Sequence, residues 1–166
     1  MPLDNIQLTP FLIAGLFKKS LIEIEISQPQ AQIQSISTFN ILGKNLKRVA
    51  LIVENPEELH LADDQLNFLL GVLSACKLTM EDVAIVNIAK NTDANYKNIE
   101  SELKAEKVIL FGVKPAQLNL PLEFPHYQIQ QYNKQTYVAA ASLNVIQIDK
   151  VEKTKLWNCL KQIFTI

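Results

Sequence analysis

Residues 48–53 read Arg48-Val49-Ala50-Leu51-Ile52-Val53, five consecutive apolar residues behind one arginine. A short apolar run of this kind is typical of a strand that is covered on both faces. Two similar runs follow at 83–88 and 107–112, and the segments between them, 63–76 and 95–106, have helical spacing. This alternation predicts parallel strand pairing, and hence a three-layer α/β/α sandwich with a mostly parallel central sheet.

The part of the chain before this run has weaker signals. Residues 27–35 are polar and contain a proline, which indicates a linker that leads into a strand at 36–42. One helix is predicted upstream of the linker. We therefore divide the chain into an N-terminal helical arm at residues 1–26 and a single α/β domain at residues 27–166.

The second half of the domain predicts a strand pair and a closing helix. Segments 127–132 and 137–140 flank Asn133-Lys134, where a hairpin turn is expected. The tetrapeptide Asp149-Lys150-Val151-Glu152 has the form of a capping box, which predicts a helix that begins there. The apolar stripe of this helix comprises Val151, Leu156, Trp157, Leu160, Ile163 and Phe164.

The arm carries an apolar stripe that is suited to binding a partner. Phe11, Leu12, Leu16 and Phe17 recur at helical spacing ahead of the linker, which is the form of an anchor for a groove in another protein. The same stripe could instead pack against the chain's own domain. The sequence leaves both alternatives open.

Composition weighs against several classes of function. Sixteen basic residues against seventeen acidic ones give a net charge of −1, without the basic excess expected of a nucleic-acid-binding domain. Four glycines are too few for a glycine-rich phosphate loop, and neither a P-loop nor a G-x-G-x-x-G motif occurs. We therefore expect no cofactor.

Metal binding and secretion are not expected either. The two cysteines, Cys76 and Cys159, lie in apolar helical patterns, and with only His60 and His126 available no zinc motif can be assembled. We expect both thiols to be reduced core residues, as is usual in the cytosol. Without a secretory signal or an apolar stretch of ~20 residues, a cytoplasmic protein that does not span a membrane is expected.

Four polar residues near the predicted strand ends are candidates for chemistry. Asp63 and Asp64 follow the first buried strand, where ligand sites of open α/β sheets cluster, so they could bind a metal ion or activate water. The alternative is helix capping, since acidic residues favour a helix N-terminus. His126 has no nameable partner, and the Ser142 hydroxyl could simply complete a turn. The four would form a ligand pocket only if the fold brings them together.

Several segments resemble the psi subunit of bacterial DNA polymerase III. Residues 48–59 (RVALIVENPEEL) and 73–83 (LSACKLTMEDV) are similar to that family's first buried strand and to the turn before its second strand. Residues 141–143 (ASL) and 155–160 (KLWNCL) are similar to its closing helix. The resemblance covers residues 48–164.

The same frame resembles the uracil-DNA glycosylase superfamily, whose fold the psi family shares. The resemblance implies an acidic water-activating loop after the first strand and a His-Pro-Ser segment before the last helix. The matching positions here are 54–57 (ENPE) and 140–143 (AASL), so alanine stands at the histidine position and the glycine-rich acidic loop is absent. We therefore expect a fold without the enzymatic activity. The alternative is an enzyme acting on nucleic acid, or a ligand-binding protein, of this superfamily.

For a psi-like protein the resemblance implies a role as a connector in the replisome. The N-terminal segment of such a protein binds the clamp loader, which assigns Phe11, Leu12, Leu16 and Phe17 to that contact. The folded domain binds the chi subunit, which contacts single-strand-binding protein. The middle section of this chain is longer than in that family, which leaves a chi-like partner open. Direct binding of nucleic acid is expected to be weak or absent.

Overall fold

A computed structural model describes residues 39–166, and in that part of the chain one six-stranded sheet is accompanied by four α-helices. The strands are β1 (Ile41–Leu42), β2 (Val49–Val53), β3 (Val83–Asn87), β4 (Lys107–Phe111), β5 (Ile129–Tyr132) and β6 (Gln135–Ala140). The helices are α1 (Asp63–Ala75), α2 (Tyr96–Leu103), α3 (Leu143–Ile148) and α4 (Lys150–Phe164), and a 3₁₀ turn covers Pro115–Leu118.

The sheet has a parallel centre and antiparallel edges. Its order is β1-β3-β2-β4-β6-β5, in which β3, β2, β4 and β6 run parallel and each edge strand pairs antiparallel with its neighbour. Leu51 of β2 lies opposite Ile85 of β3 on one side and Ile109 of β4 on the other. The predicted α/β class is therefore confirmed, with a mixed sheet.

Each face of the sheet has its own apolar core. Successive strand residues point to opposite faces, so Ile52 belongs to a cluster that contains Ile99 of α2. Its neighbour Leu51 belongs to a second cluster, with Leu69 of α1 and Leu160 of α4. Burial of one such side chain contributes about 1.5–3 kcal/mol. Helices thus cover both faces, which explains why β2 is apolar throughout and β3 is apolar up to its last residue, Asn87.

The local predictions for the central strands and the hairpin are confirmed. The three apolar runs form β2, β3 and β4 with boundaries within one residue of those expected. Asn133 and Lys134 join β5 to β6 with φ angles of 51° and 63°. Two consecutive positive φ angles are typical of the two-residue turns that match the twist of a hairpin.

Some element boundaries differ from those predicted, and one helix was not predicted at all. Asp63 and Asp64 do not cap α1, because the helix begins at Asp63 and Ala62 holds the cap position without a side-chain hydrogen bond. The strand expected from residue 127 begins only at Ile129, since Tyr127 has a φ of 63° and turns the chain. Helix α3 was not expected, because six residues are too short for a recognisable period.

The final helix matches its prediction in part. The Asp149 carboxylate accepts hydrogen bonds from the backbone N–H groups of Val151 and Glu152, which confirms the cap. Glu152 does not complete a capping box, because its side chain contacts Tyr127 and Lys155 instead. Val151 is 60% exposed, so its assignment to the buried stripe is wrong.

Some predictions lie outside the described residues. The helical arm, with Phe11, Leu12, Leu16 and Phe17, is among them, as are the linker and most of the strand expected at 36–42. Within the described residues, Cys76 and Cys159 are buried and free, as expected. Burial raises the pKa of both thiols. None of the helices between residues 39 and 166 is long and apolar enough to cross a membrane.

Candidate functional site

The carboxyl ends of the four parallel strands meet at one edge of the sheet. We call this the carboxyl edge and define it as residues 54–62, 88–91, 112–114 and 141–144, which follow β2, β3, β4 and β6. Ligands of open α/β sheets bind in the crevice at this edge. Its contacts therefore decide what chemistry the fold can support.

Asp63 and Asp64 lie beside the carboxyl edge, in the first turn of α1. Both are exposed, and neither caps the helix. The next residue, Gln65, donates a hydrogen bond from Nε2 to Oδ1 of Asn144 in α3, at 2.6 Å. This bond places the first turn of α1 next to the first turn of α3. The two carboxylates lie near the positive end of the α1 dipole and interact favourably with it, although both are exposed to solvent.

Ser142 joins two loops of the carboxyl edge. It occupies the N-cap position of α3 and makes no side-chain cap hydrogen bond. Gly112, directly after β4, has a φ of 68°, and a Cβ added to it would lie 2.8 Å from the Cβ of Ser142. Real Cβ atoms do not approach so closely, so only glycine fits. The loops that follow β4 and β6 are therefore in van der Waals contact.

His126 is exposed and does not bond to the other candidates. Its ring centroid lies 6.0 Å from that of Tyr127, with the rings edge to face at 79°. Among residues 39–166, no hydrogen bond or ion pair joins any two of Asp63, Asp64, His126 and Ser142. The same residues contain no cluster of three or more metal-ligating side chains. A pocket that contains all four stays a prediction.

Asn87, the last residue of β3, organises the loop that follows β2. It is fully buried, and its Nδ2 donates to the carbonyls of Asn55 at 2.6 Å and Glu58 at 2.9 Å. Its Oδ1 accepts from the backbone N–H groups of Asn55 at 2.9 Å and Ala89 at 3.1 Å. Every donor and acceptor of this amide is used within the chain. The sequence signal was a single polar residue at the end of an apolar strand.

Tyr127 ties the loop before β5 to helix α4. Its hydroxyl donates to Oε2 of Glu152 at 2.5 Å and accepts from the backbone N–H of Ala141 at 3.2 Å. The Cys159 thiol donates to the Tyr127 carbonyl at 3.0 Å. Burial raises the pKa of Tyr127 above its usual range, and the bond to Glu152 adds to the rise. The phenol therefore remains protonated at neutral pH and acts as a structural donor.

Replacing Tyr127 by phenylalanine is expected to lower the free energy of unfolding by about 1–2 kcal/mol, because the Ala141 N–H and the Glu152 carboxylate each lose a partner. Urea denaturation at pH 7 measures the change. A loss below about 0.5 kcal/mol would show that the hydroxyl does not tether α4.

The same pair predicts a pH dependence. Hydrogen bonds from Tyr127 and Lys155 lower the pKa of Glu152 in the folded state. A lowered folded pKa stabilises the fold above the unfolded value, about 4.3, and this stabilisation disappears as the pH falls through the folded value. The stability difference between wild type and Tyr127→Phe should therefore narrow below about pH 4. In a chain that already carries Glu152→Gln, the stability difference caused by Tyr127→Phe should not narrow at low pH.

A second feature of the described residues is an apolar groove between α1 and α4, which we call the α1–α4 groove. Its volume is about 360 Å³. The lining residues are Asn67, Phe68, Gly71, Val72, Ala75, Lys153, Leu156, Trp157 and Leu160. The sequence placed Leu156, Trp157 and Leu160 on the apolar stripe of α4 but did not predict a groove. Gly71, in the centre of a helix, was the available signal.

Comparison with known proteins identifies no family for this chain. The chain matches no protein-family model and no curated protein. The class that the described residues define is an α/β protein with a mixed sheet, a carboxyl edge whose loops contact one another, and an apolar groove between two helices.

Proposed function

We propose that this chain is a non-enzymatic connector of the bacterial replisome, similar in role to the psi subunit of DNA polymerase III. Its fold is then of the uracil-DNA glycosylase type, without that superfamily's chemistry. The resemblance over residues 48–164 supports both statements. A parallel sheet centre covered by helices on both faces is compatible with this fold.

The contact between Gly112 and Ser142 is the observation that carries the proposal. An enzyme of this architecture needs an accessible crevice at the carboxyl edge. Here the loops after β4 and β6 are so close that a Cβ on Gly112 would meet Ser142 at 2.8 Å. This packing closes the gap between the ends of β4 and β6, which supports a role other than catalysis at that point of the edge.

The positions that match the superfamily's catalytic segments support the same conclusion. Ala140, at the histidine position, is fully buried in the apolar core. The backbone N–H of the next residue, Ala141, is bonded to the Tyr127 hydroxyl. At the position of the acidic loop, the Glu54 carboxylate accepts a hydrogen bond from Gln117 at 3.2 Å. These groups connect neighbouring segments of the fold. This is expected of a relative that keeps the fold of the superfamily without its enzymatic activity.

The partners follow from the resemblance and from the charge. Clamp-loader subunits bind Phe11, Leu12, Leu16 and Phe17 of the arm, and a chi-like subunit is a further candidate partner. A net charge of −1 favours protein partners over direct nucleic-acid binding, which benefits from basic residues against phosphates. A connector of this kind acts in the cytoplasm.

A binding experiment with purified clamp-loader subunits tests the proposal. The full-length chain is compared with a variant in which Phe11, Leu12, Leu16 and Phe17 are replaced by serine. We expect capture by the wild type and at least a roughly tenfold weaker Kd for the variant, about 1.4 kcal/mol. Lys18→Ser/Lys19→Ser, which changes adjacent polar residues, is the matched control and should bind like the wild type.

Two results would contradict the proposal. Failure of the wild type to bind any clamp-loader subunit would remove the psi-like role. Release of uracil from DNA by the full-length chain, abolished by Asp64→Asn or Ser142→Ala, would instead assign it to the enzymes of the superfamily.

A further inference from the structure

The α1–α4 groove has the shape of a helix-binding site. Phe68, Gly71, Val72 and Ala75 line it from α1 at the spacing i, i+3, i+4 and i+7, and the α4 lining from Lys153 to Leu160 repeats this spacing. The lined length is about two helical turns, roughly 10 Å. Grooves of this form bind the apolar face of an amphipathic helix through anchors at the same spacing.

Gly71 is an exposed residue in the lining of the groove and leaves space there. A glycine in the middle of a helix is destabilising relative to alanine, so its presence calls for a reason. Among the described residues, and leaving aside the adjacent residues and backbone of α1 itself, no atom lies within 4 Å of the position that a Cβ on Gly71 would occupy. Packing within the described fold therefore does not require glycine here. The missing side chain would allow the backbone of a bound helix to approach α1 closely.

The charges around the groove select an acidic partner. The Lys153 ammonium lies 5.6 Å from the centroid of the Phe68 ring, and the Lys161 ammonium lies 5.5 Å from that of Trp157. Within residues 39–166, neither lysine forms an ion pair. The one acidic residue of α4, Glu152, is already bonded to Tyr127 and Lys155. Both cations thus lie over the aromatic walls and are available to a carboxylate.

We propose that the α1–α4 groove binds an amphipathic helix of a partner protein whose apolar face is flanked by acidic residues. The apolar face would pack over Gly71 against Phe68 and Trp157, and its carboxylates would pair with Lys153 and Lys161. This surface uses α1 and α4 alone. The inference therefore goes beyond the clamp-loader contact proposed for the arm, and it can succeed or fail independently of it.

Fluorescence anisotropy with a defined peptide tests the inference on the full-length chain. The probe is a labelled amphipathic peptide of about 16 residues, long enough to form a helix, with leucine at i, i+3, i+4 and i+7 and glutamate on either side. A second peptide carries lysine in place of every glutamate. We expect the acidic peptide to bind at least about tenfold tighter, with affinity that falls as salt rises. Equal affinity for the two peptides would overturn the proposal.

Two pairs of variants locate the binding site. Gly71→Leu places a side chain in the lining of the groove, whereas Ser74→Leu adds the same side chain to α1 outside the lining. We expect only Gly71→Leu to weaken binding of the acidic peptide, by about tenfold or more, with no loss in thermal stability because its side chain enters open space. Lys153→Glu should lower the affinity for the acidic peptide and raise the affinity for the basic one. Lys90→Glu should change neither affinity.

The alternative occupant is a second copy of this chain. If Gly71→Leu converts a dimer into a monomer in sedimentation experiments, a second copy covers the groove and the proposal is wrong. It is also wrong if Gly71→Leu and Ser74→Leu bind the acidic peptide equally well. The proposal is supported if the wild-type chain is monomeric, if it binds the acidic peptide, and if the four variants have the expected effects.

Discussion

Replacing Asn87 by alanine is expected to lower the free energy of unfolding by about 3 kcal/mol. The amide makes five hydrogen bonds of 2.6–3.3 Å to the backbone of Asn55, Glu58, Leu59 and Ala89. Alanine would leave these groups without partners, and an unsatisfied buried group costs about 1–3 kcal/mol. Water entering the loop would recover part of that cost. Urea denaturation monitored by circular dichroism measures the loss.

Two further variants identify the cause of the stability loss in Asn87→Ala. Asn87→Asp should destabilise at least as much, because a carboxylate would replace the donor that faces the carbonyls of Asn55 and Glu58. Asn158→Ala, at an exposed position of α4, should change stability by less than about 0.5 kcal/mol. If Asn87→Ala were no more destabilising than Asn158→Ala, the amide would not hold the loop after β2.

Replacing Gly112 by alanine is expected to lower the free energy of unfolding by about 2–5 kcal/mol. A φ of 68° disfavours any residue with a Cβ by roughly 1–2 kcal/mol. The new methyl group would also lie 2.8 Å from the Cβ and 3.0 Å from the Cα of Ser142, and overpacking of this kind costs about 1–3 kcal/mol. Urea denaturation again measures the change, from the midpoint of the transition together with the slope of the unfolding free energy against urea concentration.

Gly71→Ala is the matched control for this substitution. Apart from the adjacent residues and backbone of α1 itself, the same methyl group added at Gly71 meets no described atom within 4 Å, and alanine is the better helix former. We expect the control to raise stability by about 0.5–1 kcal/mol. Should Gly112→Ala behave like Gly71→Ala, the loops after β4 and β6 would not be packed together, and the support that this contact gives to a non-enzymatic role would be lost.

The centre of the sheet could be predicted because its information is local. A strand covered on both faces must be apolar at every position, as in Val49–Val53, so composition within five residues identifies it. The hairpin turn at Asn133-Lys134 is equally local, since two adjacent residues adopt positive φ. These elements require no knowledge of their neighbours in space.

Helix α3 depends on contacts far away in sequence. It has six residues, of which three, Val145, Ile146 and Ile148, are β-branched and favour strands. Burial of Leu143 and Ile146 against the sheet outweighs this local preference. The propensity of so short a segment cannot reveal that burial, and Ser142 is the one boundary signal near this helix.

The contacts of the candidate site were beyond sequence reasoning for the same reason. Asn87 binds a loop 32 residues upstream, and Tyr127 reaches a carboxylate 25 residues downstream. Asp63, Asp64, His126 and Ser142 were chosen for their chemistry and their place after strands. Only the last was found in a contact that shapes the edge, and it acts there through packing against Gly112.

A connector must hold two partners at once, and one titration tests this directly. The labelled acidic peptide is first bound to the full-length chain, and clamp-loader subunits are then added while the anisotropy is recorded. We expect a further rise, because the peptide stays in the α1–α4 groove of a larger complex that is held through the arm. A fall to the value of the free peptide, or no change at all, would contradict the account.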